Sequence, residues 1–323
     1  MIDIKQGDCL ELMKALPDAS IDAIITDPPY NIGKASWDKI PDYMAWCNKW
    51  LLESQRVLKS NGSIYIFHNE MPTIAKLMVM IESNTRFIFK QMIVWNKKFH
   101  GSKNEGYLQG YNEVEALRNY QKMAEYILYY TFQDETGLTQ IYGNNELFAS
   151  VRNYMQEEKL KAGLKTCRQI NRLLEVDEMG GGMASHYFSR DCKQWALPTG
   201  EMYLKLQSTG YFQKPYESLR AEYESLRYTF NNLKTHHSIW NYDIEEKQGH
   251  ITPKPLELIK TIIKYSSKEG DTILDLFMGS GTTGVACKQL NRNFIGFELN
   301  ESYFNLAKKR IEEAEAQKIL INV

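Results

Sequence analysis

A glycine turn held between a strand and a helix, close to the end of the chain, constrains this sequence more than any other feature. Residues 271–276, DTILDL, read as a short buried strand, apolar and preceded by Gly270. Phe277-Met278-Gly279-Ser280-Gly281-Thr282-Thr283-Gly284 follows, and then the helix-like VACKQLN. This is a G-x-G-x-x-G pattern: its glycines permit a tight turn and let a ligand approach the backbone, at a helix N-terminus that favours negative charge. NFIGFEL (293–299) reads as the next strand, and its Glu298 lies 19 residues beyond Gly279, where an acid accepts hydrogen bonds from ribose hydroxyls. A bare glycine turn serves equally to pack a helix on its strand. Strand, helix and acid in register point instead to a nucleotide-type cofactor.

The turn comes late, with 42 residues after Gly281. A doubly wound sheet needs further strands beside these two, and they must come from the other end of the sequence. IDIKQGD (2–8) alternates and ends at Asp8; IDAIITD (21–27) is a continuous apolar run, as expected of a central parallel strand. GSIYIFH (62–68) and RFIFKQMIVW (86–95) are two more, with helical patterns at roughly 9–16, 41–59 and 72–83 between them. The expected fold is α/β, doubly wound and mostly parallel, with permuted strand order. Residues 1–132 and 241–323 form one domain, and 133–240 form a mostly helical inserted domain.

The run 21–26 leads into Asp27-Pro28-Pro29-Tyr30. Two prolines fix φ in succession, and Pro28 restricts Asp27 to extended geometry. The outcome is a rigid carboxylate and carbonyl at the C-terminal end of a central strand, where open α/β sheets place ligands. The prolines also remove two N–H donors, leaving an acceptor-rich rim that suits a substrate amino group. A strand-ending turn with a surface Asp is the plainer reading of the same four residues.

With D-P-P-Y at 27–30 and F-M-G-S-G at 277–281, in that order and with a long segment between, the chain resembles the beta group of S-adenosylmethionine-dependent DNA amino-methyltransferases. The resemblance implies a Rossmann-like methyltransferase sheet and S-adenosylmethionine as cofactor. It implies that Asp27, Pro28, Pro29 and Tyr30 are catalytic: Asp27 and the Pro28 carbonyl accept from the target amino group, and Tyr30 stacks on a base taken out of the duplex. It places Asp8 near the cofactor adenine, Phe277, Gly279, Gly281 and Thr282 around its methionine part, Asp275 at the ammonium and Glu298 on the ribose. His250-Ile251-Thr252-Pro253-Lys254-Pro255 resembles the family's H-P-x-x-K-P segment, with the proline after His250 displaced, and puts Lys254 beside the cofactor carboxylate. An acid at the head of D-P-P-Y leans toward adenine N6; cytosine N4 is the alternative.

DNA contacts are expected from local charge, because the formal net charge is −1. Residues 85–104 carry Arg86, Lys90, Lys97, Lys98 and Lys103 and no acid, and Lys97, Lys98 and Lys103 would meet phosphates. In 151–240, thirteen basic residues face ten acidic ones, and Arg168, Arg172 and Arg190 are candidate contacts. KTCRQINRLLEV (165–176), three glycines and MASHYFSRDCKQW loosely suggest a helix-turn-helix. YESLRAEYESLR (216–227) gives a seam Tyr216, Leu219, Tyr223, Leu226, Phe230 that packs within the insert or makes a dimer contact.

Five scattered cysteines without CxxC argue against a disulfide framework or zinc finger, and no His/Cys spacing suggests a metal. No run reaches the roughly 18 apolar residues of a membrane span, and the start lacks a signal peptide's apolar core, so a cytoplasmic protein is expected. Double-stranded DNA is the expected partner, with a cognate restriction endonuclease and a second copy of the chain as further candidates. Two competing readings are an NAD-dependent oxidoreductase, which needs a contiguous βαβαβ unit around the glycines, and a non-catalytic DNA-binding protein, which leaves D-P-P-Y idle.

Overall fold

The computed structural model describes residues 1–33, 38–103, 123–132, 148–176, 182–188, 195–226, 237–245 and 253–314. Contacts within the chain divide it into two compact units, Met1–Phe132 with Thr229–Val323, and Gln133–Tyr228.

In the first unit β1 (Ile2–Gln6), α1 (Cys9–Met13), β2 (Ile21–Thr26), α2 (Tyr43–Val57), β3 (Leu58–His68), α3 (Met71–Asn84), β4 (Ile88–Asn96) and β5 (Ala124–Thr131) follow one another. The second unit holds α4 (Ala149–Lys161), α5 (Cys167–Leu173), α6 (Gly182–Phe188), α7 (Gly200–Gln207) and α8 (Tyr216–Leu226). The chain then returns to the first unit with β6 (Ile239–Asn241), α9 (Leu256–Ser266), β7 (Thr272–Asp275), α10 (Thr282–Gln289), β8 (Asn293–Glu298) and α11 (Glu301–Glu313).

The eight strands form one sheet in the order β1-β8-β7-β2-β3-β5-β4-β6. The strands from the two ends of the sequence interleave: β2 pairs in parallel with β7 on one side and β3 on the other, and β1 pairs with β8. Only β5 runs against its neighbours β3 and β4. Apolar β2 is central because it can be: Ile21, Ala23, Ile24 and Ile25 are all buried, and both faces of a parallel strand are covered by helices. Trp50 and Leu51 of α2, Ile74 and Leu77 of α3, Leu274 of β7 and Phe297 of β8 join Ile24 and Ile64 in the core.

β5, which ends one residue before Phe132, lies between β3 and β4. The outer position is taken by β6, three residues long, which is too short to leave a pattern in the sequence.

The second unit has its own core, in which Val151, Met155, Ile170, Leu174, Tyr203, Leu206 and Leu219 are buried. Asn171 is buried and accepts from the Ala184 N–H at 2.9 Å, joining α5 to α6. The seam of α8 faces this core: Leu219 is buried, Tyr216, Tyr223 and Leu226 pack against it, and Tyr223 lies 5.2 Å from the Phe148 ring. Those side chains pack inside the unit; Phe230 lies outside the described residues. Among the described residues no helix is long and apolar enough to cross a membrane, and no group of three His, Cys, Asp or Glu could hold a metal ion.

Candidate active site

Parallel strands bring their carboxyl ends to one edge of the sheet. Asp8 follows β1, Asp27 follows β2, Asp275 ends β7 and Glu298 ends β8. From β2 the chain winds toward β3, and from β7 toward β8, in opposite directions. The junction of β2 and β7 is therefore a topological switch point, where such sheets open a crevice. A cavity of about 400 Å³ lies there. Asp27, Pro28, Pro29 and Tyr30 line it, opposite Asp275, Phe277, Gly279 and Thr282. Asp8, Glu298 and Lys254 also reach it.

On the glycine side, the backbone conformation explains the residue types. Gly281 caps α10 at φ 79°, and a Cβ there would meet Ala307 of α11 at 2.8 Å. Gly281 thus shapes the turn, and it is absent from the cavity lining. Arg310 of α11, which the sequence reading did not single out, donates to the Ser280 carbonyl at 2.6 Å and reaches Thr282 Oγ1 at 3.4 Å. Glu298 accepts from the Gly279 N–H at 2.9 Å and from the Asn300 N–H at 2.8 Å. Asp8 caps α1, accepting from the Leu10 N–H at 2.8 Å. Asp275 accepts from the Thr283 hydroxyl at 2.6 Å and the Phe277 N–H at 3.2 Å. Burial nevertheless pushes the Asp275 carboxyl up to about 7. Trp46, also unanticipated, lines the cavity with its ring 5.4 Å from Phe277.

On the D-P-P-Y side, the Tyr30 hydroxyl donates to Asp27 Oδ1 at 2.6 Å. Tyr30 is 9% exposed, with the His68 ring 4.6 Å away, so its face is a packed wall and not the open stacking platform expected. Burial, followed by the Asp27 charge, holds the Tyr30 phenol well above its ordinary range. The Pro29 carbonyl accepts from the Tyr43 hydroxyl at 2.6 Å. The Glu70 N–H donates to His68 Nδ1 at 3.1 Å, which assigns the ring hydrogen to Nε2, 3.4 Å from Tyr43 Oη. Burial pushes His68 down to about 4.

Lys254 does not stand free for a cofactor carboxylate. Its Nζ lies 2.5 Å from Asp27 Oδ2 and 3.5 Å from Glu125 Oε2. Burial pushes Lys254 down, but Asp27 and Glu125 outweigh it and hold the ammonium above the ordinary lysine range. His250 lies outside the described residues.

Of the loop lysines, Lys97 turns inward. Its ammonium pairs with Glu125, which is 5% exposed, and sits 4.5 Å from the Trp95 ring centre. A buried carboxylate needs a cation more than a solvated loop does, so this lysine is not available to phosphates as expected. Lys98 is half-buried and Lys103 exposed, as are Arg168 and Arg172 on α5. Arg190 lies outside the described residues.

A family model described as DNA methylase, of the N6/N4 type, matches residues 21–309. The type II methyltransferase M1.MboII of Moraxella bovis is 26% identical over 316 residues, covering 97% of this chain and 97% of that protein. The DNA adenine methyltransferase YhdJ of Escherichia coli K12 is 27% identical over 324 residues, covering 96% and 83%. The crystal structure of the M1.HpyAVI–SAM complex shares the fold at a TM-score of 0.52 and 23% identity, covering 96% of this chain and all of that one.

Proposed function

The chain belongs to the N6/N4 DNA methylase family, and from that premise we propose that it transfers the methyl group of S-adenosylmethionine to adenine N6 at a specific site in double-stranded DNA. The observation that carries this reading is that Asp27 and the glycine turn line one cavity at the β2–β7 junction.

The cavity fits such a cofactor. Asp275 is a buried carboxyl held near 7 in the absence of a cation, and an ammonium would satisfy it. Glu298 retains lone pairs for ribose hydroxyls beside its two backbone bonds. The turn from Phe277 to Gly281, with Thr282, shapes the wall for the methionine part, and Asp8 stands at the far strand for the adenine. S-adenosylmethionine, when bound, supplies a methyl group on a positively charged sulfur that is already a good leaving group.

The chain's own residues orient the acceptor. The target base must leave the duplex, because its amino group is out of reach within the stack. Asp27 and the Pro28 carbonyl accept the amino N–H bonds and so direct the nitrogen lone pair. Tyr43 keeps the neighbouring Pro29 carbonyl occupied. As the new N–C bond forms, the nitrogen gains positive charge, which Asp27 offsets, and the surplus proton leaves to the Asp27 carboxylate.

Adenine is favoured by the acid at position 27 and by the adenine specificity in the name of YhdJ. The second unit supplies sequence recognition in this reading, with Arg168 and Arg172 on phosphates and Lys98 and Lys103 assisting from the first. The oxidoreductase reading of the glycine turn has no support from the family match.

Incubation with labelled S-adenosylmethionine and duplex DNA, followed by nucleoside mass spectrometry, tests this. N6-methyladenine is the expected product; N4-methylcytosine overturns the choice of base, and no methylated nucleoside overturns the whole reading. Asp27→Ala abolishes the product while cofactor affinity stays within about threefold.

A further inference from the structure

Four charged side chains form a chain of ion pairs that ends at the tyrosine-braced carboxylate of Asp27. Lys97 pairs with Glu125, and Lys254 lies between Glu125 and Asp27. Glu125 and Lys254 are 5% and 8% exposed, so water does not moderate their pairing. Glu125 lines the cavity, and its buried Oε2 has no partner closer than Lys254 Nζ, at a long 3.5 Å. A buried carboxylate oxygen held only by so long a contact gains from a closer approach of the ammonium.

Asp27 already has a partner on each oxygen. Oδ1 accepts from Tyr30, and Oδ2 carries Lys254 at 2.5 Å. The reaction proposed above needs an Asp27 oxygen for the amino N–H. It also needs the Asp27 charge uncancelled when positive charge develops on the nitrogen. Each oxygen keeps a further lone pair for the amino N–H, but the charge stays offset while the ammonium remains where it is.

We propose that Glu125 is a positioning residue: when the target base enters, Lys254 moves from Asp27 Oδ2 onto Glu125 Oε2, leaving the Asp27 charge uncancelled as the amino nitrogen becomes positive. The inference rests on the methyl-transfer reading. Both oxygens are already within ion-pair distance of the same Nζ, so the exchange requires side-chain motion alone. No covalent bond changes and no proton moves, and the chain of ion pairs keeps two ammonium groups and two carboxylates throughout. The ammonium lies 5.3 Å from the Phe67 ring centre and 5.6 Å from that of Tyr30, within reach of cation–π attraction to both.

Single-turnover methylation of duplex DNA and S-adenosylmethionine titration are measured for the wild type, E125Q and E125Q/K254Q. Glu125→Gln keeps the shape but cannot draw the ammonium away. Its rate is expected to fall by at least about tenfold, with cofactor Kd within about twofold of wild type. In E125Q/K254Q no ammonium is trapped on Asp27, and the rate recovers to at least about threefold above E125Q. A merely structural role for Glu125 gives no such recovery. A rate for E125Q within about twofold of wild type, or a double variant no faster than E125Q, overturns the inference. Should E125Q fail to fold by circular dichroism, E125D and E125D/K254Q carry the same comparison. An inactive wild type sinks the methyl-transfer reading and this inference together; an active wild type with an unaffected E125Q sinks the inference alone.

Discussion

The Tyr30 hydroxyl and the Asp27 carboxylate are joined by a 2.6 Å hydrogen bond, so the last residue of the D-P-P-Y turn braces the first. Removing the hydroxyl takes away the brace on Oδ1 and leaves Lys254 on Oδ2 as the remaining hold. A hydrogen bond to a charged group contributes about 1.5–3 kcal/mol. Tyr30→Phe should therefore slow single-turnover methylation by about 10- to 100-fold, with cofactor Kd unchanged. Equal slowing and weakening of cofactor binding would show instead that Tyr30 shapes the cofactor wall.

Asp275 gives cofactor affinity a pH dependence. Burial raises the free carboxyl to about 7, and an ammonium beside it favours the ionised form. Binding then lowers that pKa, so affinity is full above pH 7 and weakens as pH falls below it, by up to about tenfold per unit. Isothermal titration between pH 8 and pH 5.5 reads this slope. Asp275→Asn should bind more weakly at pH 8 and show a flatter profile.

His68 ties fold stability to pH in the same range. Its folded-state value is lowered from 6.5 to about 4 by burial, and protonation at Nδ1 removes the acceptor for the Glu70 N–H. Because the folded value is depressed, the ring's contribution is complete above about pH 6.5. It is lost as pH falls from there toward 4, by up to about 3 kcal/mol. Urea unfolding at pH 7 and pH 5 should separate wild type from His68→Phe, which starts lower and loses less over that interval.

Arg168 and Arg172 stand exposed on α5 of the second unit. If each neutralises one phosphate, log K for duplex DNA falls less steeply with log salt once they are gone, by about 0.9 per arginine. Fluorescence anisotropy of the double alanine variant at several salt concentrations measures the change. An unaltered slope would move the phosphate contacts to another surface.

The parts legible in the sequence are those whose geometry is local. Pro28 and Pro29 fix the corner after β2 by their own rings, and Gly281 marks a left-handed cap by its missing side chain. Glu125 was not legible, because its place depends on the direction of a whole strand. In a parallel β5 its first turn would lie at the far edge of the sheet. Running antiparallel, β5 begins where the others end, with Glu125 opposite Trp95 and Tyr126 opposite His68. Lys97 was misjudged for the same reason: its loop looked solvated until the acid facing it was placed. The heptad of α8 was read correctly as a spacing, but a spacing does not say whether the partner face belongs to the same molecule.

The interleaving of β2 with β7 also sets an order of events during synthesis. The two strands touch along Ala23–Ile273 and Ile24–Leu274, yet 245 residues lie between the end of one and the start of the other. At a translation rate of about 5–20 residues per second, the nascent β2 edge waits roughly 12 to 50 s for its neighbour. For that interval an apolar strand carrying the acid corner has one flank unpaired on the ribosome, an opening that chaperones would be expected to cover.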